Sequence, residues 1–201
     1  VGPPLLNTQV KIADDGEILA TGDLVMQGYW RNEKATRETI RDGWVHTGDI
    51  GHFDEDGFLV ITDRKKDIIV NSGGDNIAPQ RIESLITMPP KITQAMVYGD
   101  KRPHIVALLV PDEVWLREWA KANSKPSSLD QLCDDPDLIN ALRPIVDEVN
   151  SDLSNIEKIR RFIIAKDAFT IDNEQMTPTM KVRRHKIKEI YGDQLEGLYH
   201  K

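Results

Sequence analysis

The sequence predicts an α+β protein in two parts: a small β-rich head over residues 1–62, and a body over residues 63–201 whose short mixed sheet is flanked by helices. Three observations predict this division. Through residue 62 the chain carries five basic and eleven acidic residues, and after it 21 and 22, so nearly all of the net charge of −7 sits in the head. The head is written in short β-type runs broken by Asp- and Gly-containing turns. The body mixes apolar runs with apolar residues at helical spacing.

Taken in order, Thr8 to Ala13 and Glu17 to Thr21 flank Asp14-Asp15-Gly16, a hairpin turn in which Gly supplies the positive φ. Asn32 is placed to cap a short helix through Ile40, with Glu33 near its positive end. Trp44 to Asp49 is a short strand, and Ile50 to Phe53 and Phe58 to Thr62 form a second hairpin about Asp54-Glu55-Asp56-Gly57. After the charged cluster Asp63 to Asp67, Ile68 to Val70 reads as a buried strand and Ser72-Gly73-Gly74 as a turn. Pro79 opens a helix running to about Met88. Thr93 to Tyr98 and Ile105 to Val110, with a turn at Gly99-Asp100, are expected as adjacent core strands. From Asp112 to about Lys158 the spacing of Val114, Leu116, Trp119, Leu138, Leu142, Ile145 and Val149 is helical, with interruptions expected at Pro126 and Pro136. Arg161 to Ala165 returns to strand. Ile187, Ile190, Tyr191, Leu195 and Leu198 mark an amphipathic helix from about Arg183.

Composition narrows the function classes. Of the 201 residues 39% are apolar and 29% charged, enough to bury a core and too ordered a mixture for wholesale disorder. No apolar run approaches the roughly 20 residues of a membrane-spanning helix. The single Cys133 excludes a disulfide framework and a cysteine zinc site, and a reducing compartment is expected. A net acidic chain is a poor general binder of nucleic acid, and no aromatic lies between Thr177 and Lys188, in its one basic run. The opening Val-Gly-Pro-Pro, without Met or a signal pattern, reads as a piece of something longer.

Three segments carry candidate chemistry. In Thr47-Gly48-Asp49 a carboxylate beside a Gly can accept two hydrogen bonds from a sugar diol, or is simply a turn Asp. The cluster Asp63 to Asp67 with Ser72-Gly73-Gly74-Asp75-Asn76 either brings backbone N–H groups near a ligand or is a solvated linker and hairpin; it matches no phosphate-loop fingerprint. In Thr177-Pro178-Thr179-Met180-Lys181-Val182-Arg183-Arg184, Lys181 is a compact charge able to reach a phosphate or carboxylate, or part of an ordinary basic surface.

The order of these segments resembles the C-terminal third of the acyl-CoA synthetases in the adenylate-forming superfamily, which includes firefly luciferase. The resemblance runs through Gly16-Glu17-Ile18-Leu19, Val25 to Trp30, Asp42-Gly43-Trp44, Thr47-Gly48-Asp49, Asp56-Gly57-Phe58, Asp63 to Asp67, Ser72-Gly73-Gly74, Asn76 to Pro79, Ile82-Glu83 and the Lys181 segment. Asn76 to Gln80, Thr177 to Arg184 and the helical stretch from Asp112 to Lys158 are most similar to bacterial long-chain fatty acid CoA ligases. The resemblance implies a two-step reaction: ATP with Mg²⁺ activates a fatty acid to an acyl-adenylate, and the acyl group then passes to the thiol of coenzyme A. It implies that residues 1–62 are the last β subdomain of a large adenylating domain and residues 63–201 its C-terminal lid. Within this likeness Asp49 and Arg64 lie at the ribose of ATP, Lys66 is the hinge, and Gly73 and Gly74 approach the pantetheine arm of coenzyme A. Lys181 reaches the α-phosphate and substrate carboxylate as the catalytic Lys. A Lys that some luciferase-type enzymes carry is replaced here by Val70, so that role is not assigned.

The phosphate-binding loop and acyl pocket of the large domain are not among these residues, so the 201 residues alone are expected to be inactive. The expected partners are fatty acid, ATP, coenzyme A and the remainder of the same polypeptide, in the cytoplasm, with peripheral contact at the inner membrane face left open. Two other readings stand beside this one: a fatty acyl-AMP ligase or other acid:CoA ligase, and a binding module whose basic face at Arg183, Arg184, Lys186 and Lys188 docks on acidic lipid or a protein.

Overall fold

The structure, a computed structural model, describes residues 1–200, and its contacts divide the chain into two compact units, residues 1–68 and residues from Ile69 onward. The division falls six residues beyond the composition break at 62. The cause is local: Asp63 and Arg64 continue a strand of the first unit, and the amides of Asp67 and Ile68 close a turn on the Arg64 carbonyl.

In the first unit β1 (Thr8–Ile12) and β2 (Glu17–Gly22) form the expected hairpin. Helix α1 (Glu33–Thr39) starts where Asn32 Oδ1 accepts the Ala35 N–H at 3.0 Å. Next come β3 (Ile40–Arg41), β4 (Trp44–Phe53) and β5 (Leu59–Arg64). The short strand expected at Trp44 to Asp49 and the first arm of the second hairpin are one continuous strand. Its first part pairs with β2 and β3 and its last five residues with β5, giving one antiparallel sheet. Only Ile18 and Leu19 are buried apolar residues here, and they share the interior with the carboxylates of Glu17 and Asp63.

The second unit begins with the small ladder of β6 (Ile69–Val70) and β7 (Asn76–Ile77), followed by α2 (Pro79–Ile86). Ile69 is buried but Val70 is 40% exposed, so this segment is an edge ladder and not the buried strand expected. Strands β8 (Ile92–Tyr98) and β9 (Ile105–Pro111) pair antiparallel. Helices α3 (Glu113–Ala122), α4 (Leu129–Leu132) and α5 (Pro136–Ser151) then carry the chain over the sheet to β10 (Ile159–Ile164), which lies parallel to β9. A parallel neighbour needs such a crossover. Pro136 does not interrupt a helix but opens α5 at its first turn, where its missing N–H costs nothing. Pro144, inside α5, was not expected there. Helix α6 (Arg184–Gly197) is the last element among the described residues.

Strand β9 is central and wholly buried, and its two-residue period sorts the core. Ile105, Ala107 and Leu109 face a cluster with Ile82, Leu138 and Leu142 from α2 and α5. Val106, Leu108 and Val110 face the other side, with Ile187, Tyr191 and Leu195 of α6. Ile190, expected on that apolar face, is 54% exposed, because the stripe of α6 is only one residue wide per turn.

Candidate active site

In the first unit the antiparallel register of β4 and β5 sets Asp49 opposite Arg64. Arg64 Nε and Asp49 Oδ1 form an ion pair at 2.8 Å. The guanidinium has further N–H donors and the carboxylate a second oxygen, the complement a ribose diol requires. The strand is irregular here, with register shifts opposite Glu17/Leu19 and at Ile50/Gly51 and Gly48 at φ +72°. Such bulges re-aim side chains. The site borders an open cleft of about 730 Å³ whose lining includes Glu17, His46, Gly48, Arg64, Lys65 and Lys66.

Glu17 is the hub of this unit. Its carboxylate is buried, with Oε1 accepting the Gly48 N–H at 3.0 Å and Oε2 lying 2.9 Å from both His46 Nδ1 and Lys65 Nζ. Burial pushes its carboxyl up, but the hydrogen bonds from His46, Lys65 and Gly48 outweigh that and hold it below the usual carboxylate range. Lys65 also donates to Asp15 Oδ2 at 2.6 Å. Bonds to Asp15 and Glu17 hold its ammonium above the usual lysine range, so it stays charged.

In the second unit Gly73 and Gly74 sit in a loop wound about one side chain. Asn71 Oδ1 accepts the N–H groups of Gly73 (2.8 Å) and Asp75 (2.9 Å), and Asn71 Nδ2 donates to Asp75 Oδ2 at 2.9 Å. Gly74 adopts φ +87°, which an L side chain rarely takes, and a Cβ there would meet open space. The Ser72 N–H donates to the Arg102 carbonyl, pinning the loop to the β8–β9 connection. The N–H groups of Ser72, Gly73, Gly74 and Asp75 are all donated within the unit, so what the loop offers a neighbour is glycine surface without side chains rather than free amides.

Lys181 lies on a separate loop, a tight turn closed by the Thr177 N–H on the Lys181 carbonyl (2.8 Å) and the Lys181 N–H on Thr177 Oγ1 (3.0 Å). Met180 at φ 60° completes the reversal. The Lys181 side chain is exposed, and among the described residues its ammonium has no hydrogen-bond or ion-pair partner. Three residues on, Arg184 is anchored: its Nη2 lies 2.6 Å from Glu83 Oε2, while Glu83 Oε1 accepts the Val97 N–H at 2.8 Å. Lys186 is bridged to Glu174 and Glu189. The expected basic docking face is therefore partly consumed inside the unit, which disfavours the binding-module reading. Glu17, His46, Asn71 and the Glu83–Arg184 pair were not singled out from the sequence, although Glu17, Glu83 and Arg184 sit in the motifs that carry the resemblance.

A family profile described as "AMP-binding enzyme C-terminal domain" matches residues 66–201, and the chain belongs to that family. It is 46% identical, over its whole length, to the long-chain-fatty-acid–CoA ligase FadD15 of Mycobacterium tuberculosis, of which it covers 34%. It is 32% identical to the human long-chain-fatty-acid–CoA ligase 1, with 99% of the chain covering 31% of that protein. The chain thus spans about a third of the curated relatives it matches. Among solved structures, the A domain of a carboxylic acid reductase from Segniliparus rugosus, in complex with AMP and a co-purified carboxylic acid, superposes with a TM-score of 0.80. That match has 26% identity and covers 98% of this chain and 32% of that one. The fold and the family expected from the sequence are both those found.

Proposed function

We propose that the chain is the C-terminal portion of an ATP-dependent fatty acid:CoA ligase of the long-chain type. The observation that carries this is the end-to-end likeness to long-chain-fatty-acid–CoA ligases, which spans both structural units and every candidate residue. In this reading residues 1–62 close the adenylating domain, residues 63–201 form the lid, and the enzyme works in the reducing cytoplasm. Asp49 accepts the ribose hydroxyls while Arg64 orients it. Lys181 meets the α-phosphate as a carboxylate oxygen of the fatty acid attacks phosphorus and pyrophosphate leaves. The thiol of coenzyme A then attacks the acyl carbonyl, expelling AMP, with Gly73 and Gly74 beside the pantetheine arm.

Mg²⁺ is expected to arrive with ATP. Among the described residues no three His, Cys, Asp or Glu side chains converge to hold a metal, and no step here is assigned to the ion.

An ammonium without a partner among the described residues suits a charge that acts only when the substrate phosphate is present. Lys181→Ala in the full-length enzyme is expected to slow pyrophosphate release about 10²- to 10³-fold. Conversion of supplied palmitoyl-adenylate to palmitoyl-CoA should be largely kept, and equal losses in both steps would defeat the assignment. Lys66 serves as the hinge in this reading, and Lys66→Pro, which fixes φ near −65°, is expected to keep adenylation and lose thioester formation. Equal losses with lowered thermal stability would mark Lys66 as a rigid connector instead.

The likeness to the reductase A domain supports a second reading, an enzyme that passes its adenylate to a carrier. Product analysis of the full-length protein offered palmitate, ATP and either coenzyme A or a phosphopantetheinylated carrier decides, with palmitoyl-CoA the expected product.

A further inference from the structure

A buried carboxylate needs a reason. Replacing a buried ion pair by well-packed apolar residues is often neutral or stabilising, so stability alone does not account for Glu17 between the strands of the first unit. What distinguishes Glu17 is where its three partners lie. His46, Gly48 and Lys65 alternate along the chain with Thr47, Asp49 and Arg64, so one carboxylate holds the residues next to both members of the Asp49–Arg64 pair.

The backbone repeats the brace. Gly48 donates its N–H to Glu17, and its carbonyl accepts the Lys65 N–H at 2.8 Å, so both polar groups of this positive-φ residue are tied. Thr47 Oγ1 donates to the Ile18 carbonyl at 2.8 Å and accepts the Asp49 N–H at 3.1 Å. The peptide units on both sides of Gly48, the residue before Asp49, are therefore referenced to β2 and to Lys65, with the Glu17 carboxylate the charged acceptor among the references.

We propose that Glu17 is a positioning residue for the nucleoside, presenting Asp49 and Arg64 at a fixed separation through Gly48 and Lys65. The proposal rests on the reading of Asp49 and Arg64 as ribose-binding groups. Glu17 contacts no substrate in it. Its low-lying carboxyl range, set by burial against the bonds from His46, Lys65 and Gly48, keeps the brace charged at neutral pH.

The test uses the full-length enzyme and its Glu17→Gln variant, which keeps the shape and one acceptor oxygen but removes the charge. The expected result is a rise of about tenfold in KM for ATP, the factor that corresponds to roughly 1.4 kcal/mol. Kd for adenosine, which has the ribose but no phosphate, should rise in parallel. KM for palmitate, and kcat at saturating ATP, should stay within about twofold, a split that marks lost nucleotide binding rather than a damaged fold.

If Glu17→Gln does not fold, Lys65→Met removes one partner and leaves the Gly48 bond, and is expected to weaken adenosine binding about threefold. Unchanged adenosine binding in a folded variant overturns the proposal. So does a parallel loss in palmitate KM and kcat, the signature of a merely structural carboxylate. A wild-type enzyme that binds no adenosine and releases no pyrophosphate with palmitate would overturn the ligase reading itself, and this proposal with it.

Discussion

The two units solve the same problem, presenting charged groups at a surface, in opposite ways. The first buries only Ile18 and Leu19 as apolar core and is braced by polar groups: Glu17 against His46, Lys65 and Gly48, and Arg64 against Asp49. The second builds two apolar clusters on either side of a three-stranded sheet and leaves Lys181 exposed on a turn, without a partner among the described residues. The contrast fits a division of labour. In the proposed reading, the groups assigned to the nucleoside are held in place beforehand, whereas the cation assigned to developing charge is kept uncommitted until substrate arrives.

The comparison makes the second unit the one that depends on packing. Leu142, fully buried between α5 and β9, should cost about 2–5 kcal/mol when truncated to Ala, measured by urea unfolding. A loss below that of Ile18→Ala would contradict the contrast. In the first unit geometry should matter more than volume. Gly48→Ala places a Cβ 3.9 Å from Arg64 Nη1, ordinary contact, so its cost is the φ of +72°. About 1–2 kcal/mol is expected for a left-handed non-Gly residue, accompanied by a raised KM for ATP in the full-length enzyme. A normal KM would show that the brace at Gly48 has no bearing on binding.

Smaller effects sharpen the picture. Asn32→Ala removes the cap of α1 and should lower stability by about 1 kcal/mol without touching the nucleotide constants. A pH-dependent effect is expected at Tyr98. Burial, then its bond to Glu196, pushes the Tyr98 phenol up to about 12, against the pull of Arg102. A raised folded value means that the proton is held more tightly in the folded state. The stabilisation is therefore complete below pH 10 and lost as pH rises toward about 12. Tyr199 is raised in the same direction, mainly by burial. Tyr98→Phe should therefore flatten the alkaline fall in thermal stability between pH 10 and 12, and an unaltered slope would mean that Tyr98 is not the titrating group.

Much of this was readable from the chain. The hairpin at Asp14-Asp15-Gly16, the Asn32 cap, the β8–β9 pair and the start of α2 at Pro79 follow from turn chemistry, capping and period, which are local. Asp49, Arg64 and Lys181 were singled out as candidates through motif order. The Glu17 brace was not, because a carboxylate at the start of a strand reads as solvent-facing until β4 and β5 close over it. Nor was the exposure of Ile190, since spacing defines a helical stripe but not its width. The extension of the first unit to residue 68 was missed for a related reason: Asp63 and Arg64 look like linker until the register with Ile50 and Asp49 makes them strand.

The proposed assignment gives nucleoside binding to the first unit and charge stabilisation to Lys181. It is tested most directly by titrating adenosine into the full-length protein and its Asp49→Ala and Lys181→Ala variants, alongside pyrophosphate release with palmitate and ATP. Asp49→Ala is expected to weaken adenosine binding about tenfold or more, and Lys181→Ala to bind it as the wild type does while adenylation falls about 10²- to 10³-fold. Loss of adenosine binding in Lys181→Ala equal to that in Asp49→Ala, or wild-type binding in Asp49→Ala, would contradict the assignment.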